Sequence, residues 1–352
     1  MPKERFVPKE PFIGLFLFLF CLNPAFAEDT VAVRLSTQFP PESELFQSML
    51  HFKERVEAES KGAIRIDIYD TGKPYDSDKI AYAVSEGRIE MGQVPVHRFS
   101  DLARISEAFT MPFVFTDMQV ERASRAPNSE IRQLIEGAIL EKANARVLWW
   151  IPEGGIVLLA KGASMADPVA LAGKTVRAYG AITKTIKLCG GEPREVPAAN
   201  QEKAYEAGQV DVGLSSIMGY AGRKLFRSMN TVTRTNQAIL NDVVVINEKY
   251  WQSLPKRQRD VLETAAKIAD KEAADWIVEF EDNAYRELAA QEHVKFVTLS
   301  DQELQLWRIC SSDVLSDFMQ DAGDNGQKLM TAYAKLLQDP CCNHPKGMAP
   351  TH

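Results

Sequence analysis

The sequence is poor in the residues from which most metal-binding and redox motifs are built. Its 352 residues include five His and five Cys. The histidines (His51, His97, His293, His344 and His352) form no i, i+4 pair and no H-E-x-x-H, and no C-x-x-C occurs, so no metal site is indicated. Gly173-Lys174-Thr175 has the ending of a phosphate-binding loop, but Pro168 stands where its first glycine is required. Gly213-Leu-Ser-Ser-Ile217 lacks the closing glycine of a nucleophile elbow. No cofactor is implied, and an enzyme is unsupported.

Positive charge is also scarce. Lys and Arg total 41 against 48 Asp and Glu, a net charge of −7, and no basic run exceeds a pair. That balance disfavours nucleic acid as a partner. With 45% hydrophobic residues, 20 Gly and 18 Pro, the composition is ordinary for a globular chain and excludes collagen-like and wholly disordered classes. Long apolar runs are limited to residues 12–22, FIGLFLFLFCL. As a helix this run spans about 16 Å, half the hydrocarbon thickness of a bilayer. Lys3, Arg5 and Lys9 precede it, and Ala25-Phe-Ala27 follows, so residues 1–27 read as a cleaved signal peptide of a Gram-negative periplasmic protein. Cys21 invites a lipoprotein reading, against which Phe20 occupies the place of a small residue. Export permits disulfides. Cys341 and Cys342 are adjacent, so Cys310 with one of them is one expectation, and unpaired thiols in a loose tail (341–352) the other.

What is present is an alternation of short strands and helices. Residues 31–37 alternate as a strand, residues 42–60 carry Leu45, Met49, Phe52 and Val56 at helical spacing, and residues 64–69 alternate again. A helix ending at Gly87 and a strand over 89–94 complete the unit, and such alternation predicts a mainly parallel sheet. A helix over 128–144 leads to strands at 146–151 and 156–160, separated by the break Pro152-Glu-Gly-Gly155. A second α/β unit follows, and a strand over 238–246 leads back. Beyond Leu254-Pro255 a helical period persists for over thirty residues, either a kinked helix or a brace across both units, and the brace is preferred. Residues 28–152 plus 243–280 are expected in domain one, and 153–242 plus 281–340 in domain two.

Arg177 ends the predicted strand in Leu171-Ala-Gly-Lys-Thr-Val-Arg177. Ligands gather at strand ends in α/β folds, and a guanidinium can fork two N–H donors onto a carboxylate. On its own such an Arg is more often a surface ion-pair member. The stretch resembles, however, the L-x-G-x-K-x-R signature of the solute-binding proteins of TRAP transporters, the DctP family. Phe109-Thr-Met-Pro-Phe-Val-Phe115, Glu206-Ala-Gly-Gln-Val-Asp211, Leu240-Asn-Asp-Val-Val-Val-Ile-Asn247 and Tyr250-Trp-Gln-Ser-Leu-Pro255 resemble further family segments in the family's order. The resemblance implies an α/β, two-domain periplasmic-binding-protein-like fold (type II-like), with a cleft between domains and a long bracing helix. It implies a receptor that closes on a carboxylate-containing organic acid, a dicarboxylate among the options, and delivers it to the small and large TRAP membrane subunits. A ligand sensor, and an exported enzyme on a related fold, are the rival readings. A monomer is expected.

By the same resemblance Arg177 pairs with the ligand carboxylate, and Gln38, Ser77 and Arg98 lie in loops that reach it. The sequence departs from the family pattern twice. Val157 stands where many members have a second Arg, and Ser215 where they have a ligand-reaching Asn. Either Arg98 and His97 compensate or the ligand is less polar. Trp150, with Trp149, Tyr179 and Tyr220, is a candidate apolar face. Pro152 to Gly155 and Asn241-Asp242 are candidate hinges.

Overall fold

The structure, a computed structural model, describes residues 30–340 and 342. The expected signal peptide and, Cys342 apart, the expected tail lie outside these residues. In the first unit β1 (Val31–Ser36) buries Val33 and Leu35. Helix α1 (Glu44–Glu59) is capped by the Ser43 side chain, which accepts the Phe46 N–H, and it buries Leu45, Met49, Phe52 and Val56. Then come β2 (Ile64–Tyr69), α2 (Ile80–Ser85), β3 (Met91–Pro95), α3 (Met118–Arg125), α4 (Glu130–Ala143) and β4 (Ala145–Ala160). The second unit holds β5 (Thr175–Arg177), α5 (Ala181–Leu188), β6 (Glu192–Arg194), α6 (Gln201–Glu206), β7 (Val212–Ser216), α7 (Ile217–Gly222) and β8 (Thr231–Arg234). Strand β9 (Ile239–Asn247) returns to the first unit. The chain ends through α8 (Glu248–Ser253), α9 (Lys256–Ala289), β10 (Lys295–Thr298), α10 (Asp301–Cys310) and α11 (Ser312–Leu336).

The strands order as β2-β1-β3-β9-β4-β7-β5-β6, with β8 pairing both β4 and β10. The expected parallel pairing holds in the wings, β1 with β2 and β3, β5 with β6 and β7, and β8 with β10. It fails in the middle, where β4 and β9 run antiparallel to each other and to β3, β7 and β8. These two are the strands that cross between the units, in opposite directions.

Strand β4 is also a single element of 16 residues where the pattern suggests two strands and a break. The Pro-Glu-Gly-Gly segment is absorbed as a bulge. Pairing with β9 slips between Pro152 and Gly154, so Glu153 has no partner across the ladder. Gly154 has φ +89°, and a Cβ there would approach the Glu281 carboxylate of α9 to 3.1 Å, so glycine is required twice over.

Three apolar clusters hold the fold. One runs beneath both units, from Val33 and Phe52 through Trp149 and Val157 to Tyr205 and Tyr220, covered by Leu262, Ala269 and Ile277 of α9. The 34-residue α9 is thus the expected brace, about 51 Å long. A second cluster lies on the other face of the first unit (Phe99, Phe109, Phe115, Trp150), and a third in the second unit (Ile156, Val176, Ile186, Leu214, Trp307). Helix α11, which the sequence groups with the second unit, instead packs Val314, Phe318 and Leu329 into the cluster of the first. The expected bridge from Cys310 to the tail is also overturned. Cys310 bonds Cys189 across 121 residues, tying α10 to the end of α5.

Candidate functional site

A cavity with about 400 Å³ of empty space, part of it open to solvent, lies where the two units face each other. The first unit contributes Gln38 from the loop after β1, Ser77 from the loop after β2, and His97 and Arg98 from the turn after β3. The second contributes Arg177 and Tyr179 at and beyond the end of β5, and Ser215 on β7. The crossing strands supply the floor, Glu153 at the β4 bulge and Asn241 and Asp242 on β9. Parallel strands of the wings end here, which is why side chains distant in sequence converge.

Arg177 is 4% exposed. Its Nε and Nη1 donate to the Val196 and Leu214 carbonyls at 2.9 and 2.6 Å, and its guanidinium carbon lies 4.8 Å from the Tyr179 ring centroid. Two of five N–H donors are thus used for aiming, Tyr179 is a further partner, and among the described residues no carboxylate pairs with it. Tyr179 is shared: His97 stacks on it at 4.6 Å with the rings 9° apart, and Arg98 lies 5.7 Å from its centroid. Burial pushes the Tyr179 hydroxyl up to about 12. Burial, with Arg98 and Arg177 nearby, holds His97 well below its ordinary value, so the imidazole is neutral. Its Nε2 and the Nε of Arg98 are buried without a hydrogen-bond partner.

Several contacts cross from one unit to the other at this place. Arg98 forms an ion pair with Glu195, His97 stacks on Tyr179, and the Ser77 hydroxyl accepts the Ala198 N–H at 3.4 Å. Gln38 Nε2 donates to Asp242 at 3.2 Å, and the Gln38 N–H to Gln93 at 3.1 Å. Six of the seven residues singled out in the sequence, Gln38, Ser77, His97, Arg98, Arg177 and Ser215, therefore line one cavity. Trp150 does not. It is a core residue of the first unit, donating its indole N–H to Glu136 at 2.8 Å, because β4 points it away from the cleft.

Sequence reasoning missed Arg223, and it read Glu153, Asn241 and Asp242 only as parts of candidate hinges and not as cavity-lining residues. Arg223 reaches the cavity from the end of α7. A Cβ on Gly219 would come within 2.6 Å of Ser215 Oγ and 2.7 Å of Arg223 Nη1, so this glycine keeps the path open. The Gly219-Tyr-Ala-Gly222 run beside an Arg was the available signal. The two departures from the family pattern are themselves neighbours, since Val157 pairs with Ser215 across β4 and β7. Burial pushes the Arg223 guanidinium down, opposed by Glu153 and Asp242. Burial and the neighbouring Glu153 push the Asp242 carboxyl well above the carboxylate range.

A cleft between two α/β units, floored by the strands that join them and holding a buried unpaired guanidinium, is the geometry of a small-anion receptor. The profile of the bacterial extracellular solute-binding proteins, family 7 (DctP), matches residues 35–321. The chain belongs to this family. Within it, the C4-dicarboxylate-binding periplasmic protein DctP of Vibrio cholerae is 22% identical, over 77% of this chain and 81% of that one. The ectoine-binding periplasmic protein TeaA of Halomonas elongata is 20% identical, over 82% and 84%. Among solved structures, DctP7 of Bordetella pertussis, an extracytoplasmic solute receptor binding pyroglutamic acid, superposes with a TM-score of 0.80 at 20% identity, covering 87% of this chain and 100% of that one. A TRAP periplasmic solute-binding protein from Sulfurospirillum deleyianum with bound succinate gives a TM-score of 0.79 at 17% identity, covering 86% and 99%. The fold of this family 7 member is therefore that of the TRAP solute-binding proteins.

Proposed function

We propose that this family 7 protein is the periplasmic receptor of a TRAP transporter, that it captures an organic acid in the cleft by hinge closure, and that it hands the acid to the small and large membrane subunits. The observation that carries the reading is Arg177: buried, aimed by two carbonyls, stacked on Tyr179 and without a carboxylate partner among the described residues. A buried guanidinium in that state needs an anion from outside. The relatives that bind C4-dicarboxylates, pyroglutamate and succinate support a carboxylate as that anion. Capture and release need no chemistry on the ligand, because a difference in affinity between open and closed forms is sufficient.

A thermal-shift screen of the mature protein against small carboxylic acids, with uncharged analogues as controls, tests this. A cognate acid at 100 times its dissociation constant stabilises by about 2.7 kcal/mol, and the uncharged analogues give no shift. Stabilisation by uncharged analogues as large as by the acids overturns the carboxylate reading.

A further inference from the structure

Opposite the guanidinium of Arg177, the floor of the cleft is acidic and unusually placed. Glu153 is turned into the cavity by the β4 bulge, and Asp242 comes from the facing strand β9. Both are at least nine-tenths buried, and Glu153 lies close enough to act on the Asp242 carboxyl. Burial and the Glu153 carboxyl beside it push the Asp242 carboxyl well above the carboxylate range, toward its protonated form. Their other partners are fixed: Ser216 Oγ donates to Glu153 at 3.0 Å, and Gln38 and Gln93 donate to Asp242. Beside them Asn241, 2% exposed, lines the cavity with neither amide atom hydrogen-bonded. An unpartnered carboxamide presents one donor and one acceptor side by side, the complement of another amide edge.

Charge decides what fits against this floor. Arg98 is paired with Glu195 at the mouth. Arg223, the group a second ligand carboxylate would need, already faces Glu153 and Asp242. His97 is neutral. Only the charge of Arg177 remains to be met. A second carboxylate would meet these two buried carboxyl groups, in a site where desolvation is severe.

We infer that the cleft selects a monocarboxylate whose other end is an uncharged hydrogen-bond donor, with an amide the best match, and that it discriminates against dicarboxylates through Glu153, Asp242 and Asn241. This rests on the carboxylate-receptor reading above and adds the identity of the ligand's second end. Arg177 takes the carboxylate, and the far end donates its N–H to the acidic floor or to Asn241.

The test is calorimetry with four probes: pyroglutamate, its lactone counterpart lacking the N–H, succinate, and proline as a zwitterion. The expected result is that pyroglutamate binds at least tenfold tighter than each of the others. Glu153→Gln, with folding checked by circular dichroism, is expected to narrow the gap between pyroglutamate and succinate at least tenfold. Succinate or proline binding as tightly as pyroglutamate overturns the inference but leaves the carboxylate reading intact where Arg177 is still required. Lactone and lactam binding alike also overturns it, as does an unchanged gap in Glu153→Gln. No binding of any probe, together with failure of the wider acid screen, removes the carboxylate reading and the inference with it.

Discussion

At the scale of the residue, His97 sits uncharged between Tyr179 and two arginines, and this has a signed consequence for pH. Its folded-state value lies below the ordinary 6.5, so the unfolded chain takes up a proton first as the medium acidifies. The stability it contributes is present above pH 6.5 and is lost as pH falls below it, at up to about 1.4 kcal/mol per pH unit. Asp242 slopes the other way, because its raised value adds stability as pH falls through the window down to its ordinary 3.8. Urea denaturation of wild type and His97→Gln at pH 7 and pH 5.5 separates them. Wild type is expected to lose more stability than the variant over that interval, and equal losses would mean that His97 is not held neutral. The same scale explains what was legible in the site. Arg177 could be read because a signature surrounds it, whereas Glu153 and Asp242 sit in segments that read as a turn and an apolar strand. Only the pairing of β4 with β9 brings them together, 89 positions apart in a register that no local pattern encodes.

At the scale of the element, the bulge in β4 is the most informative feature. Local signals, Pro152 and two glycines, argue for a turn, and long-range pairing on both sides overrides them. Helices and wing strands were readable because their burial is periodic, as in α1, whose buried face is the predicted one. Gly154→Ala puts a side chain at φ +89° against Glu281, so a destabilisation of about 1–3 kcal/mol is expected by chemical denaturation. An unchanged midpoint would mean that the bulge relaxes freely. The Cys189–Cys310 bridge was not readable, since pairing across 121 residues leaves no mark in spacing. The double variant Cys189→Ala/Cys310→Ala is expected to lose about 2–4 kcal/mol, read as a lower urea midpoint with native ligand affinity at 25 °C.

At the scale of the whole molecule, two crossing strands, one brace helix and a shared apolar cluster join units that also meet around the cleft. In the proposed hinge motion, rotation about the bulge and the facing stretch of β9 opens the site while the two outer clusters stay packed. The Arg98–Glu195 pair then acts as a latch between them. Glu195 is half exposed, so its worth is small. Glu195→Gln is expected to weaken ligand binding by about twofold to fivefold, mainly through faster release measured by stopped-flow. Small-angle scattering on adding a saturating acid is expected to show compaction in both proteins.

The central claim is that Arg177 holds the ligand carboxylate, and calorimetry of Arg177→Ala against the acid identified by the screen tests it most directly. Removing one member of a buried charge pair costs about 2–5 kcal/mol, so an affinity loss of roughly 30-fold to several thousand-fold is predicted in a folded variant. Arg177→Lys keeps the charge but loses the fork, and is predicted to fall between the two. Binding by folded Arg177→Ala within about threefold of wild type, less than roughly 0.7 kcal/mol, would contradict the account.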